Sequence, residues 1–315
     1  MFETFTATLS TMMVVMVCIA AGYAAGKAKI MPADSDSVLS RCETYIFCPA
    51  MVINSLMVNC TLDALKSSAR PILYCFGIMV LAFLIGIPIV SRLEPRGYQR
   101  NILKYAIIFP NFGFLGLAIV PLIMGQDALF GYVMFILPLN FGVYTYGTSL
   151  LIKDESGKKG FFRRLVNPMF ISTFLGVILG VTGIGPKLPT FLKTGITYLS
   201  NCFSPVAMVL SGIVVSRFGL KMLFTVPKSY IMTFLRLIAL PVIFLTLLRF
   251  LGAERDVMLY TLLAFGAPLG LNTIVFPASC GEDTSSGASM AMVSHILCIL
   301  TIPLLYAAMV GLSWV

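Results

Sequence analysis

The sequence predicts an all-α polytopic membrane protein of ten transmembrane helices, folded as two inverted five-helix repeats. Three observations lead there. Of 315 residues, 58% are hydrophobic and only 11% charged, with a mean hydropathy of +0.96. Soluble domains carry about 25% charged residues and could not hide this much apolar surface. The apolar runs are continuous and roughly 20 residues long, whereas barrel strands would alternate apolar and polar positions. Finally, Pro and Gly motifs of the first half recur, in order, in the second.

The spans run roughly over 6–26, 38–58, 71–91, 102–124, 130–152, 168–186, 194–216, 229–251, 257–279 and 286–313. The first has no basic leader, with Glu3 its only early charge, and its apolar run continues to Gly26. It therefore reads as a spanning helix and not as a signal peptide. Its Gly22-x-x-x-Gly26 is answered in span 6 by Gly176-x-x-x-Gly180. Phe47-Cys48-Pro49 in span 2 is answered in span 7 by Phe203-Ser204-Pro205. Leu84 to Val90, around Pro88 in span 3, is answered in span 8 by Leu237 to Ile243, around Pro241. Pro121-x-x-x-Gly125-Gln126-Asp127 after span 4 matches Pro277-x-x-x-Gly281-Glu282-Asp283 after span 9, and Leu137-Pro138-Leu139 in span 5 matches Ile302-Pro303-Leu304 in span 10. The offsets all fall between 153 and 165 residues. The repeats are then residues 1–156 and 157–315, divided within the charged run Lys153 to Lys159. Because five is odd, the second copy must enter the membrane from the opposite side. Inverted repeats of this kind are the architecture of secondary transporters.

Loop charges set the orientation. With the N-terminus outside, inner loops carry 15 of the 22 Lys and Arg residues, outer loops carry six, and Arg236 lies within span 8. This bias puts both termini outside a cell membrane. It also accounts for the net charge of +9 without a nucleic-acid partner. The eight cysteines form no C-x-x-C pair and read as core residues. No nucleotide loop, metal-ligand cluster or nucleophile with its base is present, so the sequence points to no enzyme, cofactor or metal site.

Two segments stand out for chemistry. Span 4 reads Phe109-Pro110-Asn111-Phe112-Gly113-Phe114-Leu115-Gly116, and span 9 reads Gly266-Ala267-Pro268-Leu269-Gly270-Leu271-Asn272. Each sets a Pro, an Asn and several Gly near mid-span. Pro removes a backbone donor and clashes with the preceding turn, and Gly loosens the backbone. They read either as packed kinks or as two discontinuous helices at matching places, the pattern that marks a transporter's substrate site. The second half of each broken helix would offer free N–H groups and a partial positive charge, suited to a carboxylate. Asn111 and Asn272 would add amide donors beside Pro110, Pro268, Gly113 and Gly270. No Asp or Glu is expected deep in a span, which favours an anionic or zwitterionic substrate and leaves only carbonyls for a sodium ion. Asn140 in span 5 is an interhelical hydrogen bond or a substrate contact. Arg236 snorkels, pairs with a carbonyl or faces the anion. His295, the sole histidine, packs through a hydrogen bond or couples a proton.

These residues resemble the auxin efflux carrier family, the PIN-type plant carriers and their shorter bacterial relatives. The resemblance rests on Leu39-Ser40 followed by Pro49-Ala50, on Asn111 to Gly116, on Ala267-Pro268 to Asn272-Thr273, and on Thr301-Ile302-Pro303-Leu304. It spans nearly the whole chain. It implies crossed broken helices in spans 4 and 9 and an elevator mechanism, with spans 1, 2, 6 and 7 as scaffold and spans 3–5 and 8–10 as the moving domain. It also implies organic-anion substrates, including small dicarboxylates and, in some members, amino acids. The long cytoplasmic loop of many plant carriers is replaced by a short basic hairpin, which favours the bacterial branch. His295 follows Ser294 where the family leads one to expect a small hydroxyl residue. The reading is thus a membrane-embedded secondary carrier of a small carboxylate or dicarboxylate. A proton or sodium ion is the candidate co-substrate and a homodimer the candidate assembly. An amino-acid or auxin-like aromatic-acid carrier is the alternative, and a non-transporting sensor the rival from another class.

Overall fold

The computed structural model describes residues 1–32, 34–151, 167–218, 227–279 and 285–315. The basic hairpin over 153–164, the boundary between the expected repeats, Lys221 and the Gly281-Glu282-Asp283 half of the second Pro–Gly motif lie outside the described residues.

The described chain is helical throughout its regular structure. The helices are α1 (Phe2–Lys27), α2 (35–59), α3 (Leu62–Leu93, with a turn at Ser68) and α4 (Tyr98–Ile108). After them come α5 (Phe112–Met124), α6 (Ala128–Leu151), α7 (Pro168–Val181) and α8 (Thr190–Ser216). The last four are α9 (Pro227–Phe250), α10 (Arg255–Phe265), α11 (Asn272–Ser279) and α12 (Ser285–Gly311). Among the described residues six helices are long and apolar enough to cross a membrane: α1, α3, α6, α8, α9 and α12. The others fall short for readable reasons. α2 carries Asp36, Arg41 and Glu43 in its first half. The pairs α4–α5 and α10–α11 are each cut by a non-helical segment. α7 ends at Val181, short of the expected 186, because Gly183 turns left-handed at φ +65° and ends the helix before Pro186. Its start is firm: the Asn167 side chain accepts from the Phe170 N–H at 3.1 Å, and Pro168 opens the first turn.

Large apolar side chains face outward along the bundle. Leu73, Phe174, Phe191 and Phe250 are 69%, 70%, 73% and 85% exposed, which a water-soluble fold would not tolerate in such number but a bilayer solvates.

Each matched glycine pair lies in a close helix–helix contact. α1 packs along α8, with Gly22 against the Val209 backbone oxygen and Gly26 against Ser216. α7 packs along α2, where a Cβ at Gly180 would lie 2.6 Å from both the Leu56 and Cys60 oxygens. At Gly22 and Gly180 only a residue without a Cβ admits so close a backbone approach. Residue numbers rise together along each contact, so the helices of a pair run parallel. α2 also packs on α8, joining the pairs into one four-helix unit.

Two helices widen just upstream of a proline. Cys48 N–H donates to the Glu43 oxygen in a π-turn over Glu43–Phe47, before Pro49. Leu240 N–H donates to the Leu235 oxygen in a π-turn over Leu235–Ala239, before Pro241. A proline ring clashes with the carbonyl four residues back, and a wider turn relieves the clash. Each π-turn holds one fully buried charged residue, Glu43 and Arg236. Glu43 is an acidic residue whose burial the sequence reading did not anticipate. It sits five residues past the expected start of span 2, is 0% exposed, and neither carboxyl oxygen has a hydrogen-bond partner.

Candidate functional site

The site begins with two interruptions. Residues preceding proline avoid the helical region, and Phe109 accordingly adopts φ −110°, ψ 101° and stops α4 before Pro110. Gly266 closes α10, its N–H donating to the Leu262 oxygen at 2.8 Å, and Pro268 follows. The two extended segments lie antiparallel, with Pro110 opposite Leu269, and the Asn111 N–H donates to the Pro268 oxygen at 2.8 Å. These are discontinuous helices and not packed kinks. Backbone groups freed by the breaks are satisfied across the crossing, as burial requires.

Side chains complete the crossing. The Asn111 side-chain oxygen accepts from the Leu115 N–H at 3.4 Å and caps α5. Its amide nitrogen lies 3.4 Å from His295 Nε2, while His295 Nδ1 lies 2.7 Å from the Ala291 oxygen. A carbonyl can only accept, so Nδ1 carries the ring proton and Nε2 accepts from Asn111. Next to His295, the Ser294 hydroxyl accepts from the Leu269 N–H at 3.1 Å. One turn of α12 therefore holds both crossing segments. Asn272, opening α11, donates to the Tyr105 hydroxyl at 2.8 Å, and Tyr132 donates to the Phe112 oxygen at 3.1 Å.

A cavity of about 290 Å³ opens beside the crossing. Of the sequence-named residues, Pro110, Asn111, Gly113, Asn140, Gly270 and Asn272 line it together. Ser40, Thr44 and Tyr45 of α2 close one side, and Tyr144 of α6 and Asn167 another. A smaller cavity of about 70 Å³ shares the Gly113, Asn140 and Tyr144 wall. Helices α5 and α11 both begin here with their N–H ends. The Asn140 amide nitrogen is buried without a hydrogen-bond partner, so both its protons are free. Asn111 and Asn272 each direct an amide N–H to a protein group, and each amide has a second. No side chain lining the cavity among the described residues is charged. A Cβ at Gly113 would meet nothing within 4 Å, and one at Gly270 would make ordinary contact 3.4 Å from the Pro110 oxygen. Neither glycine is required by crowding, and both border open space.

Pro268, Arg236 and His295 are not among the lining residues. Arg236 is wholly buried beside the carbonyl end of α4, where Nη1 donates to the Ile107 oxygen at 3.2 Å. Its guanidinium also lies 5.8 Å over the ring of Phe265, the last residue of α10. One cation thus meets the carbonyl end of α4, where the dipole is negative, and the aromatic face of the residue that ends α10. Sequence reasoning missed Ser294, Tyr105 and Tyr132, whose partners lie 20 to 167 residues away. No local motif marks such partners. It also missed Glu43, which lies near a helix end and is buried only by packing from α7 and α8.

Apolar helices, two of them broken and crossed beside a cavity, define a multi-pass helical membrane protein. A family model for membrane transport protein matches the chain twice, over residues 7–161 and 154–306. The chain belongs to this membrane transport protein family, the auxin efflux carrier family that its motifs resemble. An uncharacterized transporter of Methanocaldococcus jannaschii is 24% identical, over 94% of this chain and 97% of its own length.

Proposed function

We propose that the protein is a secondary carrier of small organic anions, with Asn111, Asn140 and Asn272 binding the carboxylate between the N-terminal ends of α5 and α11. The observation that carries this is Asn140, whose buried amide nitrogen has no partner and which lines, beside two helix N-termini, a cavity with no charged side chain among the described residues. Donors without a counter-charge suit one carboxylate. A second carboxylate would meet no cation among the described residues that line the cavity. The aromatic side chains of Phe112, Phe114, Tyr144 and Phe276 line the remaining wall. The cavity chemistry therefore favours a monocarboxylate with an apolar body over the dicarboxylate also considered. His295 fits the role of positioning Asn111, and Arg236 that of stabilising the crossing from behind.

The architecture of this proposal is ten passes in two inverted repeats. In support, the family model matches two successive segments, and each glycine pair packs on the second helix of the opposite half. The four-helix unit of α1, α2, α7 and α8 matches the scaffold of an elevator, with the crossing carried by the other helices. Both termini are then outside. Single cysteines placed at 158 and 187 are expected to label from inside and outside, respectively. The reverse pattern removes the orientation.

The function is tested by filling the cavity. Gly113→Leu is expected to fold, since its side chain enters open space, yet to lose binding of aromatic monocarboxylates. A thermal-shift screen of organic acids and amino acids on purified wild type and variant reads both. Undiminished binding in the variant would put the substrate elsewhere.

A further inference from the structure

The cavity mechanism leaves Glu43 unused, yet it is a fully buried carboxyl with both oxygens unpartnered, set in a π-turn. An ionised carboxylate without a partner is costly away from water, so the group requires a neutralising proton or cation. Among the described residues its surroundings supply no cation. The helices packed on this turn are α7 and α8. α7 has no acidic or basic side chain, and α8 has none over residues 203–216. Earlier in α8, Lys193 is turned to the Pro186 oxygen. Arg217 follows at the end of α8 and is paired with Asp36, two turns before Glu43. On α2 itself Arg41 is exposed and lies on the far side of the helix, and the nearest other titratable side chains are Cys42, Tyr45 and Cys48.

Glu43 is also close to the cavity. Ser40 and Thr44, which flank it on the same helix, both line the cavity wall. We propose that Glu43 is a proton-binding site coupled to the crossing, and that an organic anion binds well only while Glu43 carries its proton. The proposal rests on the organic-anion reading above. The coupling is electrostatic: two like charges separated by about 10 Å at an effective dielectric near 20 repel enough to weaken binding by roughly tenfold. Protonating Glu43 removes that repulsion. The sign follows directly. Binding is strongest at low pH, where Glu43 is protonated, and is lost in part as pH rises through its titration. Proton and anion then load together, and the pair crosses the membrane without net charge. An anion alone would enter against the inside-negative membrane potential.

The test uses purified wild type, Glu43→Gln and Glu43→Leu, with benzoate as the probe. Benzoate stays ionised between about pH 6 and 9, as does any ordinary carboxylate. Infrared difference spectra of wild type against Glu43→Gln read the carboxylic-acid carbonyl stretch of Glu43 directly and need no ligand. That band is expected at neutral pH and should fade at higher pH. Wild-type benzoate affinity should fall about tenfold across the same interval and then level. Both variants should hold the low-pH affinity at every pH, and Glu43→Leu guards against a folding defect particular to a buried amide. A carboxylate band at neutral pH, or a pH response unchanged in both variants, overturns the proposal. Binding that follows sodium in place of pH assigns the site to a metal cation and overturns it too. Absence of benzoate binding at any pH counts against the monocarboxylate reading, while the infrared arm still decides whether Glu43 holds a proton.

Discussion

Asn140→Ala is expected to weaken carboxylate binding by about 10- to 150-fold, the equivalent of roughly 1.5–3 kcal/mol for a hydrogen bond to a charged group. Thermal stability should be little changed, because the Asn140 amide nitrogen has no hydrogen-bond partner in the protein. That separation is the diagnostic feature. Asn272→Ala and Asn111→Ala should weaken binding by a similar factor but also disturb the fold. Asn272 loses its bond to Tyr105, and Asn111 loses the α5 cap along with its contact to His295. A lost cap costs about 1 kcal/mol. Isothermal titration with the best acid from the thermal-shift screen measures the affinities, and melting in detergent measures the stability. If Asn140→Ala binds as tightly as wild type, the free amide is not a substrate donor and the carboxylate site must be redrawn.

The second large effect is on assembly of the four-helix unit. Gly22→Val directs a branched side chain into the Val209 backbone oxygen, and Gly180→Val directs one into the Leu56 and Cys60 oxygens. Backbone cannot swing aside as a side-chain tip can, so the helices must separate. Overpacking typically costs about 1–3 kcal/mol, and the two sites lie in different helix pairs, so the double variant should lose close to the sum. The surviving monodisperse fraction after heating is expected to fall for each single variant and further for the double. Gly77→Val provides the comparison, since a Cβ there meets nothing within 4 Å. Equal loss in the Gly77 variant would mean that the assay reads general helix destabilisation and not the close approach.

Much of the fold is legible in the chain because a bilayer imposes simple rules. Backbone groups must be satisfied within a segment, so apolar runs of sufficient length become helices wherever they occur. The breaks were equally legible, since Pro110 and Pro268 act on their own backbone through local sterics. For the same reason Gly113, Asn111 and Asn272 could be named from their positions beside those prolines. Glu43 escaped because its consequence is not local: an acidic residue near a helix end reads as solvated until packing by α7 and α8 buries it. Arg236 shows the same limit from the other side. Its position in span 8 was evident, but three destinations were open, and only the approach of Ile107, 129 residues away, selects the carbonyl end of α4.

By itself, then, the sequence determined the helical segments, the two interruptions and the paired Pro and Gly motifs, because each follows from short-range backbone sterics and from the absence of water in a bilayer. Only the tertiary structure decided which amides remain free. Asn111, Asn140 and Asn272 are alike in sequence, yet Asn111 is turned to His295, Asn272 to Tyr105, and the Asn140 nitrogen to no protein group. The physical reason is that hydrogen-bond partners across a helix bundle are set by packing between distant segments, and whether a polar group is satisfied or left for a ligand depends on those partners and not on its neighbours in the chain.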